Sequence, residues 1–196
     1  MQVVILAGGR GKRMRPMTDT TPKTLLCVNG TPFARLQLQL LKEGGASSVL
    51  YLLGYRGQQV HDYVVQAGHE LRLAISTLVS PDRGTGAALM TAHHLGLLHR
   101  EFVLTYGDSY LTNTSPWTAI DFLHRFAPTP IAMSLWHGAD NGMMAMRREV
   151  VDNLDCADLN DFLGRVDHYD YPVSHKWQEI GSPEGLRELE LDLRCL

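Results

Sequence analysis

Cysteine is scarce in this 196-residue chain: Cys27, Cys156 and Cys195 stand far apart, with no Cys-x-x-Cys pair. An odd, scattered set argues against a disulfide framework or a structural zinc site and suits a reducing compartment. Long hydrophobic runs are missing as well. Val3–Ala7 is far too short for a secretory signal and has no basic segment before it. Nothing approaches the ~18 apolar residues of a membrane span. Nor does one sign of charge dominate. Eighteen Lys and Arg against 21 Asp and Glu leave −3, with a pI near 6.3, which argues against a broad basic face for nucleic acid. These absences predict a soluble, cytoplasmic protein with neither a nucleic-acid nor a membrane partner. The nine histidines include no His-Glu-x-x-His, and the neighbours His93 and His94 would point about 100° apart on a helix, poorly placed to share an ion.

What the chain does have is 44% hydrophobic residues, enough at this length to bury one good core. Short apolar runs read as buried strands at Val3–Ala7, Ser48–Leu53, Leu73–Val79, Phe102–Tyr106 and Ile131–Trp136. Helical spacing marks Pro32–Glu43 (stopped by Gly44-Gly45), Gln58–Gln66, Thr85–Leu98 and Pro116–Phe126. Beyond Trp136 the pattern weakens to a loop over 138–142 and a short strand at Met143–Met146. Short helices follow at Arg147–Leu154 and Asp158–Val166, then a closing helix over Ser182–Leu193. The Met143, Met144 and Met146 cluster reads as core. The alternation predicts an α/β fold with a mostly parallel central sheet covered on both faces, built as a single domain without linker or repeat.

Arg10, Lys12, Arg13, Arg15 and Lys23 crowd into one stretch and face only Asp19, a density suited to a small anionic ligand. Within it, GGRGKRMRPMT (Gly8 to Thr18) follows the first strand, where α/β sheets bind nucleotides. A P-loop would need glycine where Leu6 stands and a hydroxyl residue at Arg13. A dinucleotide fingerprint would need glycine at Met14 and a helix running through Pro16. Both fail. What remains is a long irregular loop able to wrap a triphosphate. The backbone N–H groups of Gly8, Gly9 and Gly11 are unobstructed, Arg13 is a bidentate fork, and Lys23 stands at the far end as a point charge.

The same residues resemble the signature of the sugar-1-phosphate nucleotidyltransferases: Gly8, Gly9, Gly11, Arg13, Met14, Pro16, Thr18, Pro22 and Lys23 all match. The resemblance continues at Gly54-Tyr55, at SPDRGTGAAL, at TYGDSYL and at WQEIGSPEGL. It implies a three-layer, Rossmann-like nucleotidyltransferase fold, with 1–136 as the nucleotide-binding part and 137–196 as the sugar-binding and closing part. It also implies a reaction that joins a nucleoside triphosphate to a sugar 1-phosphate and releases pyrophosphate. By the same resemblance Leu6, Ala7, Gly8, Gly9, Gly11, Arg13, Gly84, Thr85 and Gly86 would bind the nucleotide. Arg13, Lys23 and Asp108 would be catalytic, and Lys23, Gly107 and Glu179 would meet the sugar phosphate. Asp108 and Glu179 would hold Mg²⁺. Arg10, Lys12 and Arg15 are expected as solvated loop charges. The EIGSPEGL ending looks most like heptose- or mannose-1-phosphate guanylyltransferases of surface-polysaccharide synthesis, which makes GTP the expected donor. A homo-oligomer is compatible with the family.

One departure stands out. A further stretch usual in the family after the fifth strand, and its Glu-Lys-Pro element, are not recognisable here. Three readings stay open: a minimal enzyme, a sugar lid rebuilt from Arg147, Arg148, His175 or Lys176, or a mobile loop outside this sequence. A catalytically weak or inactive member that binds nucleotide or nucleotide-sugar as a regulatory or sensor subunit is the alternative function.

Overall fold

The apolar runs pair into one sheet, and the spaced runs pack on it as helices. A computed structural model describes residues 1–80, 84–111, 115–126, 128–136, 139–155, 158–173 and 177–194. In chain order, β1 (Gln2–Ala7) leads through three 3-10 turns (Lys12–Met14, Met17–Asp19, Lys23–Leu25) to the short strands β2 (Cys27–Val28) and β3 (Thr31–Pro32). Then come α1 (Phe33–Glu43), β4 (Ser48–Leu53), α2 (Gly57–Leu71), β5 (Ala74–Val79), α3 (Thr85–His94) and β6 (Glu101–Tyr106). β7 (Ser109–Leu111), α4 (Pro116–Arg125), β8 (Ile131–Trp136) and β9 (Ala139–Arg147) follow. A 3-10 turn at Arg148–Asn153, α5 (Leu159–Leu163), β10 (Tyr169–Pro172), β11 (Trp177–Glu179) and α6 (Pro183–Asp192) complete the order.

Seven strands form the main sheet in the order β10-β8-β9-β6-β1-β4-β5. β1 pairs in parallel with β4 and β6, β4 with β5, and β8 with β10, while β9 runs antiparallel between β6 and β8. Period-two alternation sorts the side chains onto two faces. Val3, Ile5, Val49, Tyr51 and Leu53 pack against α1, α2 and α4, through Leu38, Val64 and Leu123 among others. Val4, Leu6, Leu50, Leu52 and the methionines 144 and 146 pack against α3 and α5, through Leu89, Phe162 and Leu163. The result is the expected three-layer α/β/α arrangement with a mostly parallel sheet, and the three methionines are core. Among the described residues no helix is long and apolar enough to cross a membrane.

The first half matches its expected elements closely. α1 stops where Gly45 takes φ +86 and Ala46 N–H reaches back to the Leu41 carbonyl. α3 stops at His94, short of the expected Leu98, because Gly96 at φ +69 closes it the same way, with Leu97 N–H on the Ala92 carbonyl. After Trp136 the expectations need correcting. The loop and short strand foreseen there are one strand from Ala139, and the helix at Arg147–Leu154 is a 3-10 turn. The helix foreseen over Asp158–Val166 is reduced to Leu159–Leu163.

The strand order places the site. The chain winds from β1 through β4 to β5, then crosses back over β1 to β6. The carboxyl ends of β1 and β6 therefore flank the topological switch point, where open α/β sheets bind ligands. Against this edge lies a second ladder, β7 with β11, covered by α6. Phe33, Tyr110, Ile180 and Leu189 form its small core, with the Phe33 and Tyr110 rings edge-on at 6.2 Å.

Candidate active site

The glycine-rich loop leaves β1 at Ala7 and is fastened at several points before it reaches α1. Tyr55 N–H donates to the Gly8 carbonyl at 3.0 Å. Gly54 makes this possible, since a Cβ there would lie 2.7 Å from the Gly8 oxygen. Gly11 adopts φ +61, and the buried Thr18 hydroxyl donates to its carbonyl at 2.9 Å, folding the loop back on itself. Met14 is fully buried and anchors the middle. The Tyr55 hydroxyl and Arg56 Nη2 hold the far side through the carbonyls of Thr18 and Asp19. The loop is thus held in place before any ligand arrives.

Two cavities open on it. The first, about 100 Å³, lies over the end of β1 and the start of α3, lined by Leu6, Gly8, Gly9, Leu52, Gly54, Ser80, Gly84, Thr85 and Ala88. Its walls are largely apolar side chains and backbone, and Gly84 at φ +97 caps α3 so that the helix N-terminus faces it. The second, about 480 Å³, is a wider bay lined by Arg10, Gly11, Lys12, Arg13, Lys23 and Gly181. A flat group suits the first and a polyanion suits the second.

Two of the bay's cations stand against carboxylates. Lys23 Nζ donates to Asp108 Oδ2, with both side chains mostly buried at 19% and 17% exposure. Arg13 Nη1 stands 4.0 Å from Glu179 Oε1 in a more open pair, 70% and 38% exposed. The second ladder holds both carboxylates: Glu179 lies in β11 in register with Ser109, and Asp108, on the turn just before β7, accepts at its carbonyl from Ile180 N–H at 3.0 Å. Strand pairing therefore brings together two residues far apart in sequence. Among the described residues no cluster of three or more His, Cys, Asp or Glu could hold a metal ion. A pair of carboxylates is still a sufficient protein share for Mg²⁺, which takes one or two and completes its shell with water and phosphate oxygens.

The predicted residues do not all land on the walls. Leu6, Gly8, Gly9, Gly84 and Thr85 line the first cavity, and Gly11, Arg13 and Lys23 line the bay. Thr85 also has a second duty, its hydroxyl accepting from Leu159 N–H at 3.1 Å. Gly86 is buried in the first turn of α3, with Thr85 and Ala88 on the wall instead. Ala7 and Gly107 pack on one another: a Cβ on Gly107 would come within 2.8 Å of the Ala7 Cβ and 3.2 Å of Thr24 Oγ1. Gly107 therefore lets two strand ends meet.

Arg10 and Lys12, expected as solvated charges, belong to the bay; their place inside the glycine loop was the available signal. Arg15 is the solvated charge of the set, 3.2 Å from Asp19 in an exposed pair. Gly181 and Ser80 carried no signal that singled them out. Arg147 and Arg148 cannot rebuild a sugar lid. Because β9 is antiparallel to β6, Arg147 faces Glu101 at the amino end of β6, away from the site. Its side chain lies 3.6 Å from Glu101 and bonds to the Leu123, Pro128 and Thr129 carbonyls, while Arg148 holds the Leu98 carbonyl. His175 and Lys176, the other candidates, lie outside the described residues, as do Cys156 and Cys195.

Comparison with known proteins agrees with this geometry. The chain is 35% identical over 142 residues to N-acetylmuramate alpha-1-phosphate uridylyltransferase of Neisseria meningitidis, covering 69% of this chain and 58% of that protein. It is 29% identical over 92 residues to D-glycero-alpha-D-manno-heptose 1-phosphate guanylyltransferase of Aneurinibacillus thermoaerophilus, covering 47% of this chain and 40% of that one. It thus spans 58% of the length of the first of these relatives and 40% of the second. In fold it resembles the crystal structure of HddC from Yersinia pseudotuberculosis, with a TM-score of 0.81 at 17% identity over 98% of this chain and 99% of that one. The model of the MobA-like NTP transferase domain matches residues 3–165, from β1 through α5, and with it the loop, the first cavity, Asp108 and all of the bay's lining but Gly181. On that match the chain belongs to the MobA-like NTP transferase family, whose homologues include sugar-1-phosphate nucleotidyltransferases.

Proposed function

We propose that this chain transfers a nucleotidyl group from a nucleoside triphosphate to a sugar 1-phosphate. The observation that carries the reading is the double pairing across the bay, Lys23 with Asp108 and Arg13 with Glu179. In the reaction a phosphate oxygen of the sugar bonds to the α-phosphorus, the bond from that phosphorus to the bridging oxygen breaks, and its electron pair leaves with pyrophosphate. Two polyanions must meet in line, so the work is charge neutralisation and positioning.

Each part has a place. The base enters the apolar cavity beside Leu6 and Gly84, and the triphosphate lies along the N–H groups of Gly8, Gly9 and Gly11. Arg13 grips the departing pyrophosphate with Arg10 and Lys12 beside it. Lys23 meets the α-phosphate or the incoming sugar phosphate. Asp108 and Glu179 would hold Mg²⁺, which when bound supplies further neutralisation of phosphate oxygens. On binding, Lys23 and Arg13 would turn from the carboxylates to phosphate, leaving Asp108 and Glu179 to hold the metal.

For the finer identity we take GTP with a heptose- or mannose-type 1-phosphate, in the cytoplasm. The EIGSPEGL segment and the similarity to the Aneurinibacillus protein support it. UTP is the second reading, favoured by the higher identity to the Neisseria protein. Pyrophosphate release measured over a matrix of nucleoside triphosphates and sugar 1-phosphates with Mg²⁺ decides. We expect turnover with one base well above the others. Nucleotide binding without turnover in any pair would replace the enzyme with a nucleotide-sensing subunit.

A further inference from the structure

Asp108 sits on a tight turn between β6 and β7, and its usefulness depends on where that turn holds its carboxylate. Part of the support comes from a different layer of the fold. Gln37, on α1 and 3% exposed, donates from one Nε2 to the Tyr106 carbonyl at 2.8 Å and to the Ser109 carbonyl at 3.0 Å. These are the residues immediately before and after Gly107-Asp108. A single amide therefore brackets the turn. Backbone bonds at the turn include Gly107 N–H to the Leu6 carbonyl and Ile180 N–H to the Asp108 carbonyl, beside the ladders that flank it.

Packing does not explain this residue. Its neighbours on the buried face of α1 are Phe33, Ala34, Leu38 and Leu41, and a leucine in its place would spare the cost of burying an amide. The cost is visible: among the described residues Gln37 Oε1 is buried without a hydrogen-bond partner. A side chain that leaves its acceptor unused is retained for its donor. α1 follows the phosphate loop after only the short β2 and β3, and Phe33 N–H ties it back to the Leu26 carbonyl, so Gln37 links the segment bearing Lys23 to the turn bearing Asp108.

We propose that Gln37 is a positioning residue that fixes the Asp108 carboxylate relative to Lys23 and the phosphate bay. What the carboxylate is for rests on the nucleotidyl-transfer reading; the clamp itself does not. The test compares the whole chain with Gln37→Met, similar in length but without a donor, and with Leu38→Val, which perturbs the same helix without touching the turn. Amide hydrogen exchange of residues 106–109 should quicken in Gln37→Met and not in Leu38→Val. Mn²⁺ titration in the presence of GTP should show affinity weakened roughly 10–100-fold in Gln37→Met alone, the usual effect of removing an outer partner of a metal ligand. In turnover, the apparent metal constant should rise while KM for the nucleotide at saturating Mg²⁺ stays within about twofold, a split that general destabilisation would not produce. Exchange and Mn²⁺ affinity both unchanged in Gln37→Met would overturn the proposal. If the unaltered chain bound no Mn²⁺, the metal reading would fail, and exchange at 106–109 would still decide whether Gln37 clamps the turn.

Discussion

Lys23 and Asp108 are shielded enough from water for their pairing to matter, whereas the Arg15 and Asp19 pair is exposed on both sides. Substitutions should therefore separate sharply along one short loop. On the proposed reading Lys23→Ala removes a fixed charge from the reacting phosphates and should lower kcat/KM about 30- to 1,000-fold, ~2–4 kcal/mol in the barrier. Asp108→Ala should abolish metal-dependent pyrophosphate release. Arg15→Ala should change neither rate nor stability by more than about 0.5 kcal/mol. Steady-state kinetics and thermal melts of the three variants check the ranking. Tyr51 poses a different residue-scale case. Its hydroxyl is buried with no partner among the described residues, and burial, helped by nearby Tyr63, pushes its ionisation well above the ordinary tyrosine range. The folded chain thus keeps a proton that the unfolded chain loses above about pH 10, so this contribution is present below that pH and fades as pH rises past it. Tyr51→Phe should be neutral or stabilising by up to about 1 kcal/mol at pH 7 and should flatten the alkaline loss of stability, as read by urea titrations across pH.

At the scale of elements, the approach of β1 to β4 sets the shape of the first cavity, where the base is proposed to bind. A Cβ on Gly54 would meet Gly8 backbone, which cannot swing aside, whereas one on Gly181 would meet only the ends of the Arg13 and Glu179 side chains. Gly54→Ala should cost about 1–3 kcal/mol and weaken nucleotide binding, while Gly181→Ala should fold normally and disturb only the bay; melts and nucleotide titrations separate the two. This contrast also shows what can be read in a chain of residues. β1, β4 and β6 announced themselves as unbroken apolar runs because both faces are covered. The run at Met143–Met146 said that its residues are buried but carried no information on direction, so the reversal of β9, and the removal of Arg147 from the site, stayed hidden. The three-residue strands β7 and β11 are too short to show any period. Their pairing makes Glu179 a neighbour of Asp108, which only the motif resemblance anticipated. Gln37 stands four residues from both Phe33 and Leu41, so its spacing puts it on the buried face, but nothing in the sequence says which carbonyls its amide would reach.

Over the whole molecule, the site lies where two sheets meet, so ligand binding should stabilise the assembly and not one strand. Nucleotide and Mg²⁺ at about 100 times Kd should add ~2.7 kcal/mol to stability, several degrees in Tm for a chain of this size, and the gain should vanish in Asp108→Ala if the metal couples the halves. Differential scanning fluorimetry suffices to measure it. Hydrogen exchange should then slow in both the glycine loop and the 177–181 segment. The β7 and β11 ladder has one more consequence, which concerns time. The strands beside the glycine loop, β1, β4 and β6, and Asp108 itself have all been synthesised by residue 108, but Glu179 is made much later. At ~5–20 residues per second, a growing chain spends several seconds with a formed glycine loop and no second carboxylate. On the proposed reading, the carboxylate that completes the bay arrives only once β11 has been made, so the site can be finished only after nearly the whole chain has been synthesised.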